Sequence, residues 1–206
     1  MHPVTSVGRP RTTQGAAHLI SEVCAPAVLV TAFLLLSVLG GAPWPEAAWY
    51  AAIAVLFTTA LPLGGVLLLV RRGVLTDHHI SDRRQRAPVL SGALVSIGAG
   101  LLLLVVLGAP WRVTGTVVCT VVGVVAVLLV NLWWKLSAHS AVAMFVVVGS
   151  ISLLGLWAVV LVPVPLAVGW ARVHLRAHTP TQVAAGFMVG LVIGACFHLL
   201  VAGPAA

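Results

Sequence analysis

Residues 113–134 read VTGTVVCTVVGVVAVLLVNLWW, an apolar stretch that contains no charged side chain. A helix needs about 20 such residues to cross the hydrocarbon core of a bilayer. In lipid, every backbone polar group must be hydrogen-bonded without help from water, and a helix meets that need within the segment. The stretch therefore predicts a transmembrane helix.

Four further stretches of about 20 mostly apolar residues also predict spans, at residues 20–39, 47–70, 89–107 and 181–201. The breaks between them carry Gly, Pro or charge, which are typical of loops. The apolar residues 139–170 are too many for one span, and Gly155, Pro163 and Pro165 favour two short or tilted helices. The predicted fold is thus all-α, a polytopic transmembrane helical bundle of six or seven spans, and seven is the expected number.

Composition also points to one compact membrane domain. Only 7% of the residues are charged, whereas a soluble domain averages roughly 25%. Lipid must therefore cover most of the exterior. We expect residues 1–17 to form a polar N-terminal tail and residues 18–206 to form a single transmembrane domain. Gly186, Gly190 and Gly194 form a small-residue stripe that predicts close contact between two helices.

The net charge of +7 comes from basic residues grouped in short runs between the apolar stretches. With seven spans, ten of the eleven basic residues lie on one side of the membrane, and only Arg112 lies opposite. The positive-inside rule makes that side cytoplasmic, and we expect the plasma membrane of a prokaryote. Basic residues grouped in this way form no continuous water-exposed surface, so no nucleic-acid partner is predicted.

Most of the polar chemistry falls in three segments, which the predicted topology places at the same membrane face. They are residues 77–88 (DHHISDRRQRAP), 135–140 (KLSAHS) and 172–182 (RVHLRAHTPTQ). Arg and Lys bind phosphate oxygens, and imidazole can act as a nucleophile or a general acid–base near neutral pH. The three segments therefore predict a site for a phosphorylated lipid, with its head among the cations and its tail between the helices.

The order and spacing of these residues resemble the type-2 phosphatidic acid phosphatase superfamily of membrane lipid phosphatases. Its signatures are Lys-x6-Arg-Pro, Pro-Ser-Gly-His and Ser-Arg-x5-His-x3-Asp. The third signature matches best, because Arg172, His178 and Gln182 reproduce its spacing. The second appears as residues 136–139 (LSAH), and the first is reduced to residues 83–88 (RRQRAP). The resemblance extends from the first segment to the C-terminus.

The resemblance implies a phosphatase mechanism without a cofactor or metal. His178 would attack phosphorus and form a phosphohistidine, and His139 would protonate the leaving oxygen and then activate water. Gln182 would orient the ring of His178. The phosphoryl oxygens would be held by basic and hydroxyl side chains, namely Arg83, Arg86, Lys135, Ser137, Arg172 and Arg176. These cations would stabilise the charged transition state in place of a metal ion.

Three of the chain's departures from the family pattern, all in its second and third motifs, bear on the implied chemistry. Gln182 stands where the family has an Asp that stabilises the positive form of the imidazole; Gln accepts the ring N–H but brings no charge. Ala138 replaces a Gly whose backbone approaches the phosphate, and Ala171 replaces a Ser that contacts it. A divergent branch of the superfamily is similar in having Asp-Arg-Arg, Ser-x-His and His-Thr-x-x-Gln motifs, so Gln182 is either a subtype feature or a sign of lost activity.

Asp77 and Asp82 are additions to the basic first segment. They could pair with its arginines, or they could hold Mg²⁺ together with a diphosphate substrate. The main alternative function is therefore a prenyl-diphosphate-using enzyme, similar to a terpene synthase, on the same scaffold. Further alternatives are a non-catalytic lipid-phosphate-binding protein and, less favoured, a small transporter, whose ionisable residues should line the membrane midplane. The sequence leaves the lipid substrate and the oligomeric state undetermined.

Overall fold

The computed structural model describes residues 11–75 and 83–203, in which every regular element is helical. The α-helices of these residues are α1 (Arg11–Val23), α2 (Pro26–Leu39), α3 (Glu46–Val55), α4 (Leu61–Arg71), α5 (Arg83–Val106), α6 (Trp111–Trp133), α7 (Ala138–Leu154), α8 (Pro163–His174) and α9 (Pro180–Phe197). A π-helical turn, Leu56–Ala60, joins α3 to α4, and another, His198–Ala202, extends α9. The side chains of Arg11, Arg83, Arg84 and Arg86 lie outside the description.

Five helical segments of the described residues are long and apolar enough to cross a membrane. They are Glu46–Arg71, Ala87–Val106, Trp111–Trp133, Ala138–Leu161 and Pro180–Ala202. A sixth is present if Thr12–Val23 and Pro26–Leu39, which meet at an angle of 44°, form one broken span. The prediction of an all-α membrane protein with several spans is confirmed, whereas the number of six or seven spans is not.

The N-terminal region differs from the sequence-based expectation. Helix α1 begins at Arg11, within the predicted tail, and Ala17 is fully buried. The predicted span at residues 20–39 is interrupted before Pro26, because proline lacks an N–H and fits the first turn of a helix better than its interior. Helix α1 therefore turns away from the axis of α2 and packs against α8.

Helices α7 and α9 run parallel and in close contact, because three glycines of α9 face α7. A Cβ atom at Gly186 would lie 2.6 Å from the carbonyl oxygen of Ser137, and one at Gly194 would lie 2.6 Å from Cβ of Val148. Gly190, between them, packs on the α7 backbone. Because these contacts advance in the same direction along both helices, α7 and α9 are parallel. The predicted small-residue stripe is confirmed as a close helix contact.

The parallel packing requires the chain to return between α7 and α9 to the end of the bundle where both begin. Helix α7 stops at Gly155, whose φ of 71° lies in the left-handed region that favours glycine. A 3-10 helix, Gly155–Leu161, and α8 then lead back, and α8 packs against α7 and α9. Residues 139–170 thus form an outgoing and a returning arm, but α8 has only 12 residues.

The two ends of the bundle differ in their side chains. At one end, which we call the site end, the chain enters α7 and α9, and Lys135 and Arg172 lie there. At the opposite end, the far end, the hydroxyl of Ser37 at the close of α2 donates to the carbonyl oxygen of Arg112 at 3.1 Å. Among the described basic residues, Lys135 and Arg172 thus lie at the site end and Arg112 lies at the far end.

The core between the ends is aromatic and aliphatic. Phe33, Phe145 and Phe197 come from α2, α7 and α9 and meet edge to face, with ring centroids 5.1 Å apart for the first two. Such rings are attracted through the positive edge of one and the negative face of another. This cluster fixes α2 against the α7–α9 pair and therefore helps to set the relative positions of the helices that form the site end.

Candidate functional site

Helix α9 begins at a capping box that fixes the side chain of Gln182. Thr179 is the N-cap, and its hydroxyl accepts a hydrogen bond of 3.3 Å from the backbone N–H of Gln182. In return, Oε1 of Gln182 accepts the backbone N–H of Thr179 at 3.1 Å. Pro180 occupies the first turn, where its fixed φ suits the helix. The local sequence therefore specifies both the start of α9 and the position of the Gln182 amide.

The Gln182 amide also holds the ring of His178. Nδ1 of His178 lies 3.2 Å from Oε1 of Gln182. The N–H of Thr179 needs an acceptor, so the atom of the Gln182 amide that it contacts is the oxygen. An amide oxygen can only accept, so Nδ1 of His178 is the donor in their hydrogen bond. A neutral ring with its proton on Nδ1 carries its lone pair on Nε2. The ring of His178 is therefore oriented through Nδ1, and the acceptor is a neutral amide.

The turn before His178 is closed by the main-chain carbonyl group of Arg172. Helix α8 ends at His174, and Arg176 adopts a left-handed conformation with φ of 56°. This turn brings the N–H groups of Ala177 and His178 to the carbonyl oxygen of Arg172, at 3.0 and 3.2 Å. The left-handed conformation costs about 1–2 kcal/mol for a residue with a Cβ, and the hydrogen bonds offset that cost. The position of His178 is thus fixed from α8 as well as from α9.

The guanidinium group of Arg172 is buried against α1. Arg172 is 6% exposed, and its Nη1 donates to the hydroxyl of Ser21 at 2.7 Å. Ser21 is 1% exposed and lies one helical turn after the buried Ala17. Ser21 was not among the predicted site residues, because it belongs to no motif and is 151 positions from Arg172 in the sequence. No local signal could have found this contact.

The second motif forms the first turn of α7. Ser137 is the N-cap, and its hydroxyl accepts the N–H of Ser140 at 3.4 Å and shares a 2.8 Å hydrogen bond with the Ser140 hydroxyl. His139 follows in the same turn and is buried. The backbone N–H of Ser137 donates to the carbonyl oxygen of Gln182 at 3.3 Å. That hydrogen bond joins the second and third motifs directly.

Asn131, near the end of α6, supports the loop that leads to the second motif. Its buried amide donates to the carbonyl oxygen of Val127 at 2.8 Å and accepts the N–H of Leu136 at 3.4 Å. Leu136 is itself buried in a cluster with Val127 and Ala141. Asn131 was also missed by sequence analysis, since nothing in its local sequence separates it from an interfacial polar residue.

The arrangement favours a negatively charged ligand at the site end. Helices α7 and α9 both begin there, and the helix dipole places partial positive charge at each N-terminus. Lys135 is half-buried in the loop before α7, and Arg172 adds a second full charge. His174 stacks on Trp170, with ring centroids 5.0 Å apart. A phosphoryl group, with several oxygens to accept hydrogen bonds, is a ligand that such a set of groups can bind.

The structure brings together five of the predicted site residues, which are Ser137, His139, Arg172, His178 and Gln182. Lys135 lies in the adjoining loop. Arg176 is exposed on the turn after α8, where its left-handed backbone serves the geometry of the turn. The convergence of distant motifs is therefore a property of the fold, because α7 and α9 start side by side.

The first motif is only partly within the described residues. Arg83 and Arg86 lie in the first turn of α5, which approaches the second motif through Leu90, but their side chains are outside the description. Asp77 and Asp82 also lie outside it. Among the residues that the structure does describe, no group of three or more His, Cys, Asp or Glu side chains could hold a metal ion. The Mg²⁺ alternative is thus untested.

The chain matches no protein-family model, no curated protein and no solved structure. The fold defines the class as an all-helical membrane protein with several apolar spans. The resemblance of the three motifs to a phosphatase superfamily stays a prediction. Function must accordingly be argued from the chemistry of the site.

Proposed function

We propose that this protein hydrolyses a lipid phosphate or a polyprenyl diphosphate through a phosphohistidine intermediate on His178. The observation that carries the proposal is the 3.3 Å hydrogen bond from the N–H of Ser137 to the carbonyl oxygen of Gln182. It joins the turn that holds His139 to the helix start that holds His178. A nucleophile and a second imidazole at adjoining helix ends are the groups that a two-step phosphoryl transfer needs.

In the first step, the lone pair on Nε2 of His178 forms a bond to phosphorus while the bond from phosphorus to the lipid oxygen breaks. Protonated His139 gives its proton to that oxygen, so the lipid leaves as an alcohol or, from a diphosphate, as a monophosphate. In the second step, neutral His139 removes a proton from water, and the hydroxide oxygen displaces His178 from phosphorus. Inorganic phosphate is released, and both rings return to their starting states.

Charge stabilisation comes from the surroundings of these rings. Arg172 and Lys135 neutralise the phosphoryl oxygens, and the N-termini of α7 and α9 add oriented dipoles. Ser137 and the arginines of the first motif complete the proposed binding set. Gln182 keeps the proton of His178 on Nδ1. The chemistry needs no metal ion, because these groups supply the positive charge that a metal would otherwise bring.

A lipid is the proposed substrate because the site lies at the end of a bundle with apolar outer faces. Val95 and Val106, for example, are 75% and 73% exposed on α5. Exposing so many apolar side chains of one span to water would be energetically unfavourable, so lipid surrounds them. We place the site on the cytoplasmic side of a prokaryotic plasma membrane, in a seven-span topology in which α8 completes the returning arm. Nucleic acid is not a proposed partner.

The second candidate is an enzyme that ionises a prenyl diphosphate at the same site. It is favoured by the neutral amide of Gln182, which gives His178 no charge support, and by Asp77 and Asp82 in the first segment. Under this alternative, the two carboxylates would bind Mg²⁺ with the diphosphate, and the bond that breaks would be carbon–oxygen instead of phosphorus–oxygen.

Product analysis separates these candidates. Purified protein in lipid nanodiscs is incubated with phosphatidate and prenyl mono- and diphosphates, each with and without EDTA, and the products are identified by mass spectrometry. Hydrolysis should yield inorganic phosphate with the lipid alcohol or monophosphate and should survive EDTA. Pyrophosphate with a terpene, lost on adding EDTA, would support the second candidate instead. Binding without any product would overturn both and leave a non-catalytic lipid-phosphate-binding protein.

A further inference from the structure

The contact between Ser21 and Arg172 connects α1 to the site end, although α1 carries none of the motif residues. Nη1 of Arg172 and the hydroxyl oxygen of Ser21 are 2.7 Å apart, and both residues are more than nine-tenths buried. The same arginine closes the turn before His178 through its carbonyl oxygen. Arg172 therefore links α1 on one side to the proposed nucleophile on the other.

The direction of a guanidinium group matters for anion binding. Its N–H donors lie in one plane, so fixing one nitrogen restricts where the others can point. An arginine side chain that can rotate loses conformational entropy when it is ordered. Because Nη1 donates to the buried hydroxyl of Ser21, this entropy is lost when the protein folds, before the ligand binds. Ser21 thus fixes the plane of the Arg172 guanidinium group before a ligand binds.

The position of Ser21 is set by packing against α8. Ala17 and Ser21 are four residues apart, lie on the same face of α1 and are both buried. The neighbouring residues Glu22 and Val23 are exposed. Because α1 and α2 meet at 44° before Pro26, the contact with α8 determines where α1 lies. The serine hydroxyl is therefore held by a docked helix.

We propose that Ser21 is a positioning residue that aims the guanidinium group of Arg172 at a phosphate anion, and that α1 is consequently part of the substrate site. The proposal rests on the proposed function in one respect, which is that the ligand is a phosphoryl group. The role of Ser21 is to act through Arg172, without contact to the reacting atoms.

The test uses the full chain in nanodiscs with two readouts. The affinity for inorganic phosphate is obtained from the phosphate-dependent rise in Tm, and KM and kcat are measured with the best lipid phosphate. Ser21→Ala should weaken phosphate affinity and raise KM by about tenfold, the usual loss for a hydrogen bond to a charged group. Ser21→Thr keeps the hydroxyl and should restore both to within about threefold of wild type.

Ser37→Ala is the matched control. Ser37 is also fully buried, and its hydroxyl is hydrogen-bonded to Thr116 at 2.6 Å, but it lies at the far end. Its loss should lower Tm without changing the response to phosphate. In a background of Arg172→Lys, Ser21→Ala should have little further effect on phosphate affinity, since the two residues act as a unit. If Ser21→Ala does not fold, Ser21→Cys, a weaker acceptor, replaces it with a smaller expected loss.

Phosphate affinity in Ser21→Ala equal to that in Ser37→Ala would overturn the positioning role and leave the proposed function intact. Additive effects of Ser21→Ala and Arg172→Lys would also overturn it. Failure of the proposed function has a different signature, because wild-type protein would then release no phosphate, whatever the effect of Ser21→Ala on phosphate affinity. If wild-type Tm also did not respond to phosphate, the assignment of a phosphoryl ligand would be overturned.

Discussion

Nδ1 of His178 lies 3.2 Å from Oε1 of Gln182, and the same oxygen accepts the backbone N–H of Thr179 at 3.1 Å. One amide therefore orients the proposed nucleophile and caps helix α9. An aspartate at this position would be one methylene group shorter and would reach less far toward both donors. Gln182 thus has a second role, the capping of α9, for which a longer side chain than that of Asp is suited.

Gln182→Glu should raise phosphate release if the protein is a phosphatase limited by its neutral amide. Glutamate keeps the length needed for the capping box and adds a negative charge beside the ring of His178. We expect kcat to rise by about tenfold, because a charged acceptor stabilises the positive ring that forms during transfer. The measurement is the initial rate of phosphate release across pH, with Tm measured in parallel.

Gln182→Asp and Gln182→Leu extend the same comparison. Aspartate adds the charge without the reach, so its gain in rate should be smaller than that of glutamate. Leucine removes both hydrogen bonds and should lower stability by about 1 kcal/mol as well as activity. A fall in rate in Gln182→Glu, with unchanged Tm, would indicate a site adapted to other chemistry and would favour the prenyl-diphosphate alternative.

His178→Ala should abolish phosphate release, by at least about a thousandfold, because the proposed covalent intermediate cannot form. The assay is phosphate release combined with detection of acid-labile phosphohistidine on the protein after quenching. His198→Ala is the control, since His198 is exposed at the end of α9, away from the site end. Undiminished turnover in His178→Ala would remove the nucleophile from the proposed mechanism.

His139→Ala should slow both steps, but the second more when the substrate has a good leaving group. An aryl phosphate needs little protonation as it departs, so phosphohistidine should form on His178 and then accumulate because no base activates water. Rapid quenching with a radiolabelled aryl phosphate measures the labelled protein. If label accumulates no more than in wild type, His139 does not serve as the general base of hydrolysis.

Arg172→Ala should raise KM and lower kcat, together reducing kcat/KM by at least about a hundredfold, since a buried charge on the phosphoryl group is lost. Steady-state kinetics with several lipid phosphates provide the measurement. Arg72→Ala is the control for total charge, because Arg72 is basic and exposed just after α4. Equal kinetics for the two variants would place the phosphate away from Arg172.

Gly190→Ala should separate α7 from α9, because its new methyl group would meet the carbonyl oxygen of Ala141 and lie 2.9 Å from the backbone nitrogen of Phe145. We expect a loss of about 1–3 kcal/mol of stability and reduced activity. Gly98→Ala in α5 has nothing within 4 Å and should be neutral or stabilising. Thermal unfolding and phosphate release measure both effects. Normal activity in Gly190→Ala would show that the site tolerates a wider spacing of the two helices.

Much of the architecture could be predicted from local pattern alone. Long apolar stretches identified four of the five described spans, whereas the fifth, Ala138–Leu161, lies in residues 139–170, for which two short or tilted helices were expected. The Gly186, Gly190 and Gly194 stripe identified a close helix contact that the structure confirms. The capping box at Thr179 can likewise be predicted from residues that are near one another in the sequence. Such features are predictable because the residues that make them are near in sequence or repeat with the period of a helix.

The arrangement of residues 139–170 and the position of α1 could not be predicted in the same way. The break before Pro26 and the packing of α1 on α8 depend on contacts with residues far along the chain. The number of spans depends on whether α1 and α2 form one broken span and on whether α8, with 12 residues, crosses the bilayer. Apolar composition does not decide which helices cross the bilayer. It shows that a segment is more stable in lipid than in water, but it does not show where a bent chain turns back.

The sequence by itself determined that the chain is a helical membrane protein and that its imidazole and basic residues fall in three segments. Only the tertiary structure decided that the segments with His139 and His178 meet, through the hydrogen bond from Ser137 to Gln182, and that Ser21 holds Arg172. The physical reason is that periodicity and polarity act over a few residues. Contacts between distant residues are set by how closely two helices pack, which here depends on glycines that let α7 and α9 run side by side.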